Sequence, residues 1–136
     1  MRKLWIAAFI GLVFSACLDG KKQEKALLDE VLKVHDKVMN NDEALMNNKM
    51  KLDTLLKLPA KDTAEKTNMK ALDLKLTAAE EAMETWMQKF QPDLTGKSHD
   101  EIMSYYQSQK KQIMSVDSQM NVAIKESGKY LSNKTK

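Results

Sequence analysis

Apolar residues recur at alternating steps of three and four along most of this chain, and that spacing restricts what the chain can fold into. The clearest stripe consists of Met69, Leu72, Leu76, Ala79, Met83, Trp86 and Phe90. Steps of this kind place side chains on one face of a helix and are typical of the seam of a coiled-coil-like bundle. Glycine and proline number only 4 and 2 among 136 residues, so helices meet few interruptions. The sequence therefore predicts an all-α protein.

Three helical segments and a short frayed tail are predicted, at about residues 23–57, 63–90, 98–130 and 132–136. Leu58-Pro59 ends the first segment, because proline disfavours helical geometry in the residue before it. Asp62 is expected to cap the second segment. Ser98-His-Asp-Glu101 has the pattern of a capping box, in which the serine and glutamate side chains each bind a backbone N–H at the start of the third segment.

The first segment has a weaker apolar pattern in its middle, at Asn40-Asn-Asp-Glu43 and at Asn47-Asn48. Asparagine favours helix caps over helix interiors, so Asn40 and Glu43 are candidates to cap a new helix. A kink or break near Asn40 is therefore the alternative to one continuous first helix.

The connections between the segments are short, and short connections make neighbouring helices antiparallel. We therefore predict an elongated up-down-up three-helix bundle over residues 24–131. The alternative is an open coiled-coil hairpin that completes its core with a second copy of the chain or with another protein. Asp42 and Lys49, which are polar residues at seam positions of the first segment, favour that alternative.

The first 17 residues carry a different pattern, which resembles the signal peptide of bacterial lipoproteins. A basic start, Arg2-Lys3, precedes an apolar run of 13 residues that ends at Ala16, and the single cysteine of the chain, Cys17, follows. The run is shorter than the roughly 20 residues that a membrane-spanning helix needs. Residues 1–16 are therefore predicted to be a cleaved signal, with plain secretion and an uncleaved anchor as the alternatives.

The resemblance to lipoproteins implies that Cys17 becomes the first residue after cleavage and that its sulfur is diacylated. Two acyl chains anchor a protein firmly, since each buried methylene contributes about 0.8 kcal/mol. Residues 17–23 are then expected to form the lipidated cysteine and a polar tether. Leu18, which stands where an aspartate would favour the inner membrane, indicates the outer membrane. The expected location is the cell envelope, facing the periplasm.

Charge and residue inventory argue against several classes of function. The chain has 22 basic and 19 acidic residues, and two of the basic ones lie in the predicted signal, so the remainder is nearly neutral. A nucleic-acid-binding surface needs lysine and arginine clustered on one face, which the sequence does not indicate. It also contains no His-Glu-x-x-His zinc motif, no glycine-rich phosphate loop and no Glu-x-x-His di-iron pair. We predict a protein without enzymatic activity or nucleic-acid partners.

Three short strings resemble a known group of proteins: Val34-His-Asp-Lys-Val-Met39, Glu80-Glu-Ala-Met-Glu-Thr-Trp-Met87 and Asp100-Glu-Ile-Met-Ser-Tyr105. The group consists of small helical bacterial lipoproteins that carry the label "viral A-type inclusion protein", which reflects coiled-coil similarity and implies no viral role. The resemblance extends over most of the chain after the signal. It implies a lipid-anchored helical domain of uncharacterised function and supplies no catalytic residues.

Histidine and methionine side chains are predicted to meet at the end of the bundle away from Pro59. His35 with Met39 and Met83 with Met87 are four residues apart, which places each pair on one helix face. The antiparallel arrangement puts these four residues in one layer or two adjacent layers, together with Trp86, Met103 and Tyr106. Imidazole and thioether groups are ligands for Cu(I). The alternative is a packed core in which methionine fills gaps against aromatic rings and His35 bonds to Tyr105 or Tyr106.

Two classes of function therefore remain open. The first is a lipid-anchored envelope bundle that acts through protein–protein contacts, as a structural, adaptor or chaperone-like protein, alone or as a homo-oligomer. The second is a protein that binds copper or a small ligand through His35, Met39, Met83 and Met87. The sequence favours the first class over the second. An enzyme, the third class considered, is the least favoured.

Overall fold

A computed structural model describes residues 13–59 and 62–134, and over this part of the chain it contains helices and no strands. The four helices are α1 (Val13–Asn40), α2 (Asp42–Leu56), α3 (Thr63–Lys89) and α4 (His99–Lys134). We call α1 and α2 together the first arm, because they follow one another with a single residue between them. The first arm, α3 and α4 form an elongated up-down-up bundle of three arms. The all-α prediction is confirmed.

The first arm and α4 run parallel over their length with a constant offset. Three side-chain contacts join residues 80 positions apart: Glu30–Lys110 (2.6 Å), Lys37–Asp117 (2.7 Å) and Asn41–Asn121 (3.3 Å). A fourth contact, from Asn48 Nδ2 to Ser127 Oγ at 2.9 Å, joins residues 79 apart. Because the offset hardly changes from α1 to α2, the junction between these helices does not disturb their register against α4.

The core follows the predicted stripes. Val31, Val38, Leu45 and Leu52 are spaced by seven residues along the first arm, and all four are fully buried. The α3 stripe from Met69 to Trp86 is buried as predicted, and α4 contributes a matching buried stripe that runs from Tyr106 to Leu131. The seam of each arm is therefore buried against the other two, as a three-helix bundle requires.

The first segment is not the one continuous helix predicted over residues 23–57. The alternative, a break near Asn40, is confirmed, and it lies at Asn41. Asn41 lies between α1 and α2, and its backbone N–H bonds to the Val38 carbonyl at 3.0 Å, three residues back rather than four. The expected cap by Asn40 and Glu43 is wrong, because Asn41 occupies the N-cap position and makes no side-chain cap bond. Its side chain instead donates to Asn121 on α4.

Both ends of the bundle contain more helix than the sequence predicted. Residues 17–23, the expected tether, are helical and belong to α1, although the basic start and most of the apolar run of the predicted signal lie outside the described residues. The extension lies against α4, since a Cβ at Gly20 would be 3.2 Å from His99 Nδ1, and Glu24 Oε1 lies 2.8 Å from the same atom. At the other end α4 continues to Lys134, whose side chain binds Glu65 on α3, rather than fraying from residue 132.

The predicted helix starts are confirmed by their hydrogen bonds. Asp62 accepts from the Glu65 N–H at 2.6 Å and caps α3. At the start of α4, Glu101 accepts from the backbone N–H and the hydroxyl of Ser98, at 2.9 and 2.8 Å, and these bonds lower the pKa of the glutamate. None of the helices described here is long and apolar enough to cross a membrane.

Candidate functional site

The seam between α1 and α3 is packed less closely than the other seams of the described bundle. α2 packs against both α3 and α4, whereas α1 packs against α4 and contacts α3 far less. Side-chain size explains the difference, because the separation of packed helices depends on the residues between them. Small buried residues, Ala79, Ala123 and Ser127, line the α2 half, while the α1 half contains the rings of Trp86 and Tyr106.

Four large apolar side chains are exposed along this seam. They are Leu32, Met39, Met46 and Met87, with 38%, 42%, 41% and 42% of their surface accessible. We call these four residues the open face. Leu32 is exposed although it lies next to a core residue in sequence. The preceding residue, Val31, is fully buried in the core. Leu32 is rotated by about 100° from Val31 around the axis of α1, which brings it to the surface.

Helical spacing places the four residues on one surface. Leu32, Met39 and Met46 are separated by seven residues each, so they form a line along the first arm. Met87 lies seven residues after Glu80, whose carboxylate binds Lys49 of α2. The same flank of α3 therefore points toward the first arm at both positions. The sequence did not single out Met46 as a site residue. Its seven-residue distance from Met39 is the signal that places it on the same line of the helix.

His35 and an aromatic stack form the floor between the two helices. The His35 and Trp86 rings lie 5.7 Å apart between centroids, and Trp86 stacks on Phe90 at 4.7 Å. Phe90 in turn lies 6.4 Å from Tyr105 of α4. Trp86 is only 5% accessible and Met83 4%, so both are core residues beneath the open face. The predicted His/Met layer therefore contains two exposed thioethers, those of Met39 and Met87, the buried thioether of Met83 and the half-buried thioether of Met103.

The His35 ring is held by its neighbour rather than by a tyrosine. Its Nδ1 atom lies 3.1 Å from Asp36 Oδ1, and no described residue forms a hydrogen bond with Nε2. The predicted bond to Tyr105 or Tyr106 is wrong, because both hydroxyls bond to the backbone of the α3–α4 connection. Tyr105 accepts from the Gln91 N–H at 2.7 Å, and Tyr106 donates to the Pro92 carbonyl at 2.9 Å.

Burial raises the pKa of the Tyr106 hydroxyl, so this group stays protonated and donates its bond across the ordinary pH range. The Trp86 Nε1 atom is buried without a hydrogen-bond partner among the described residues. The indole ring of Trp86 lies beside the His35 ring. The single polar atom of the indole makes no hydrogen bond to the described residues. The layer beneath the open face is thus largely apolar. His35 is a titratable residue in this layer, and its ring lies beside that of Trp86.

Acidic side chains border the open face on both sides. Asp36 and Glu43 lie seven residues apart on the first arm, one helical position beyond the methionine line. On α3, Glu80 and Glu84 flank Met87 at helical spacing, and Glu80 binds Lys49 at one end of the seam. Lys49 offsets the charge of Glu80, so Asp36, Glu43 and Glu84 are the carboxylates that add negative potential beside the apolar strip. The open face therefore suits a ligand that is apolar along its centre and positive at its edges.

A second candidate site lies elsewhere on the bundle. A surface groove between α2 and α4 is lined by Met50, Thr54, Leu55, Gly128 and Leu131, and it is wide open to solvent. Within the described residues, no three His, Cys, Asp or Glu side chains are grouped as a metal site requires. Comparisons with protein-family models, with curated proteins and with solved structures found no match to this chain. The resemblance to helical lipoproteins therefore stays a prediction.

Proposed function

We propose that this chain is a lipid-anchored envelope protein without enzymatic activity that binds an amphipathic helix of another protein along the open face. The observation that carries the proposal is the row of exposed apolar residues between two acidic borders. Methionine-rich surfaces adapt to partner side chains because the thioether chain is flexible and polarisable. They are used where a protein must bind a helix through its apolar face.

A helix with basic edges fits this surface best. Leu32, Met39 and Met46 are separated by seven residues, which is the repeat of apolar positions on a partner helix that packs at a small crossing angle. The neighbouring carboxylates of Asp36 and Glu84 lie where lysine or arginine at the partner's flanking positions can pair with them. Such rim charges speed association and select partners more than they add affinity.

The membrane anchor rests on the sequence of residues 1–17. An acylated Cys17 is expected to hold the start of α1 at the membrane and keep the open face on the exported side. The test is metabolic labelling with palmitate followed by membrane fractionation of cells. The wild-type chain should be labelled and sediment with membranes, and the Cys17→Ser chain should be unlabelled and fail to sediment. Equal labelling of the two chains would remove the anchor from the proposal.

The partner is tested by placing a photoreactive residue at Met39 in the full chain and irradiating living cells. The matched control has the same residue at Met114, which is 52% exposed on α4. We expect a discrete cross-linked protein from position 39 that is absent at position 114. The charge-reversed variant Glu84→Lys should weaken that band.

Two results would contradict the proposal. One is the same set of products at both positions, which would mean that cross-linking reports exposure alone. The other is a product that contains only this chain, because it would show that the open face binds a second copy. Glu84→Lys leaves Cys17 and the proposed anchor unchanged. A weaker band in this variant therefore reports on the open face and not on membrane attachment.

A further inference from the structure

We propose that the open face also contains a Cu(I) site, formed by the Nε2 atom of His35 and the thioether sulfurs of Met39 and Met87. One nitrogen and two thioethers are the soft ligands that Cu(I) prefers over carboxylate and water. This site does not depend on the helix-binding proposal, because it needs no residue from a partner. It uses the predicted ligand set except Met83, which is buried in the core.

The orientation of His35 is the first observation that supports the site. Histidines that bind metals commonly donate the second ring N–H to a carboxylate, which fixes the tautomer and raises the basicity of the ligating nitrogen. Asp36 Oδ1, 3.1 Å from Nδ1, is placed for this role. The side chain of His35 is 26% accessible, so Nε2 is reachable and has no partner among the described residues.

The thioethers are the second observation. Met39 lies one helical turn after His35, so the two side chains share a face of α1. Met87 follows Trp86, whose ring contacts His35, and it lies on the flank of α3 that points toward the first arm. Both methionines are 42% accessible, although a methionine that only fills a core gap would be buried as Met83 is. Helical spacing thus places His35 and Met39 on the side of α1 that faces α3, and Met87 on the side of α3 that faces the first arm.

Trp86 and the acidic borders complete the site. A cation held at His35 lies beside the face of the indole ring, and aromatic faces attract cations through their quadrupole. The carboxylates of Asp36 and Glu84 attract cations to this seam, whereas the charge of Glu80 is offset by Lys49. Neither effect selects copper, and the thioethers supply the selectivity, since harder ions such as Mg²⁺ and Ca²⁺ prefer oxygen ligands.

The test is an anaerobic Cu(I) titration of the full chain against a coloured Cu(I) chelator. All proteins carry Cys17→Ser, because a free thiolate is itself a strong Cu(I) ligand. We expect one Cu(I) per chain, with quenching of Trp86 fluorescence as it binds. Met39→Leu and Met87→Leu preserve side-chain volume, and each should weaken Cu(I) binding at least about tenfold by removing a ligand.

Two matched controls separate the site from general methionine and carboxylate effects. Met114→Leu removes an equally exposed thioether on another surface and should leave Cu(I) affinity unchanged. Asp36→Ala should weaken binding by about 10- to 100-fold through the lost His35 contact. Asp29→Ala, seven residues earlier on the same line of the helix, should have no effect. Wild-type affinity in the Met39→Leu and Met87→Leu variants, or no Cu(I) uptake by the parent chain, would overturn the proposal.

Discussion

The adjacent residues Leu45 and Met46 provide a test of which side of the first arm is packed. Leu45 is fully buried in the seam between the three arms, and Met46 is 41% exposed on the open face. We consider truncating each to alanine in the full chain. Both changes shorten a large apolar side chain in the same helix, so helix propensity changes similarly and burial decides the difference.

The magnitudes follow from that burial. Removing a fully buried leucine side chain costs about 3 kcal/mol, because transfer energy is lost and a cavity is left. Complete burial of a methionine is worth about 1.5–3 kcal/mol. A side chain that is 41% exposed realises part of this value, and alanine also fits a helix slightly better. We therefore expect Met46→Ala to cost about 1 kcal/mol or less, some 2 kcal/mol less than Leu45→Ala.

Urea unfolding followed by the helical circular dichroism signal measures both values. For a chain of this size a difference of 2 kcal/mol corresponds to roughly 1 M urea in the midpoint, provided that both variants keep the slope of the wild type. Equal destabilisation by the two substitutions would refute the reasoning. It would show that Met46 is packed in the isolated protein, against a second copy or against α3.

Two further predictions concern stability away from the open face. Asn48→Ala should cost about 1–2 kcal/mol, because Asn48 donates to Ser127 Oγ and to the Ile124 carbonyl in a partly buried layer, whereas Asn47→Ala at the exposed neighbour should cost close to nothing. Thermal unfolding of both variants compares them directly, and equal losses would contradict the buried layer. Glu101→Gln removes the charge of the capping box but retains an acceptor. Since the bonds from Ser98 hold the pKa of Glu101 below its ordinary value, the charge stabilises the folded chain at neutral pH and this contribution disappears as the pH falls through the lowered pKa. The variant should melt lower than the wild type at pH 7 and at the same temperature once the pH is below the lowered pKa of Glu101. A difference independent of pH would contradict this cause.

Periodicity and capping chemistry made most of the fold predictable. The stripe from Met69 to Trp86 identified the buried face of α3, because its alternating steps leave only one direction for the core. Asp62 and the Ser98 capping box fixed two helix starts, since their side chains satisfy backbone N–H groups that have no partner within the helix. These features depend on residues that are close together in sequence, which is why they could be predicted from a single sequence.

The exposure of the residues along the seam between α1 and α3 was not predictable from periodicity and capping patterns. Leu28, Leu32 and Val31 are all apolar, and periodicity does not decide which of them faces the core when a stripe is that broad. The outcome depends on the volumes of residues distant in sequence, above all Trp86 and Tyr106, which lie in the α1 half of the bundle. For the same reason the layer of His35, Met39, Met83 and Met87 could be assembled from the sequence, but its division into exposed and buried members could not.

The proposed function requires a partner that covers the open face in the cell, and methionine oxidation measures this coverage directly. The full chain is treated briefly with peroxide, once as purified protein and once in intact cells, and sulfoxide is quantified at each methionine by mass spectrometry. Purified protein should oxidise at Met39, Met46 and Met87 and at the exposed standards Met50 and Met114, while Met69, Met83 and Met120 stay reduced.

In cells, Met39, Met46 and Met87 should become protected while Met50 and Met114 continue to react. That pattern is the result that the proposed function predicts, because only an occupant of the open face shields these three residues together. Equal oxidation of all five exposed methionines in cells would contradict it, since the open face would then be free in the cell.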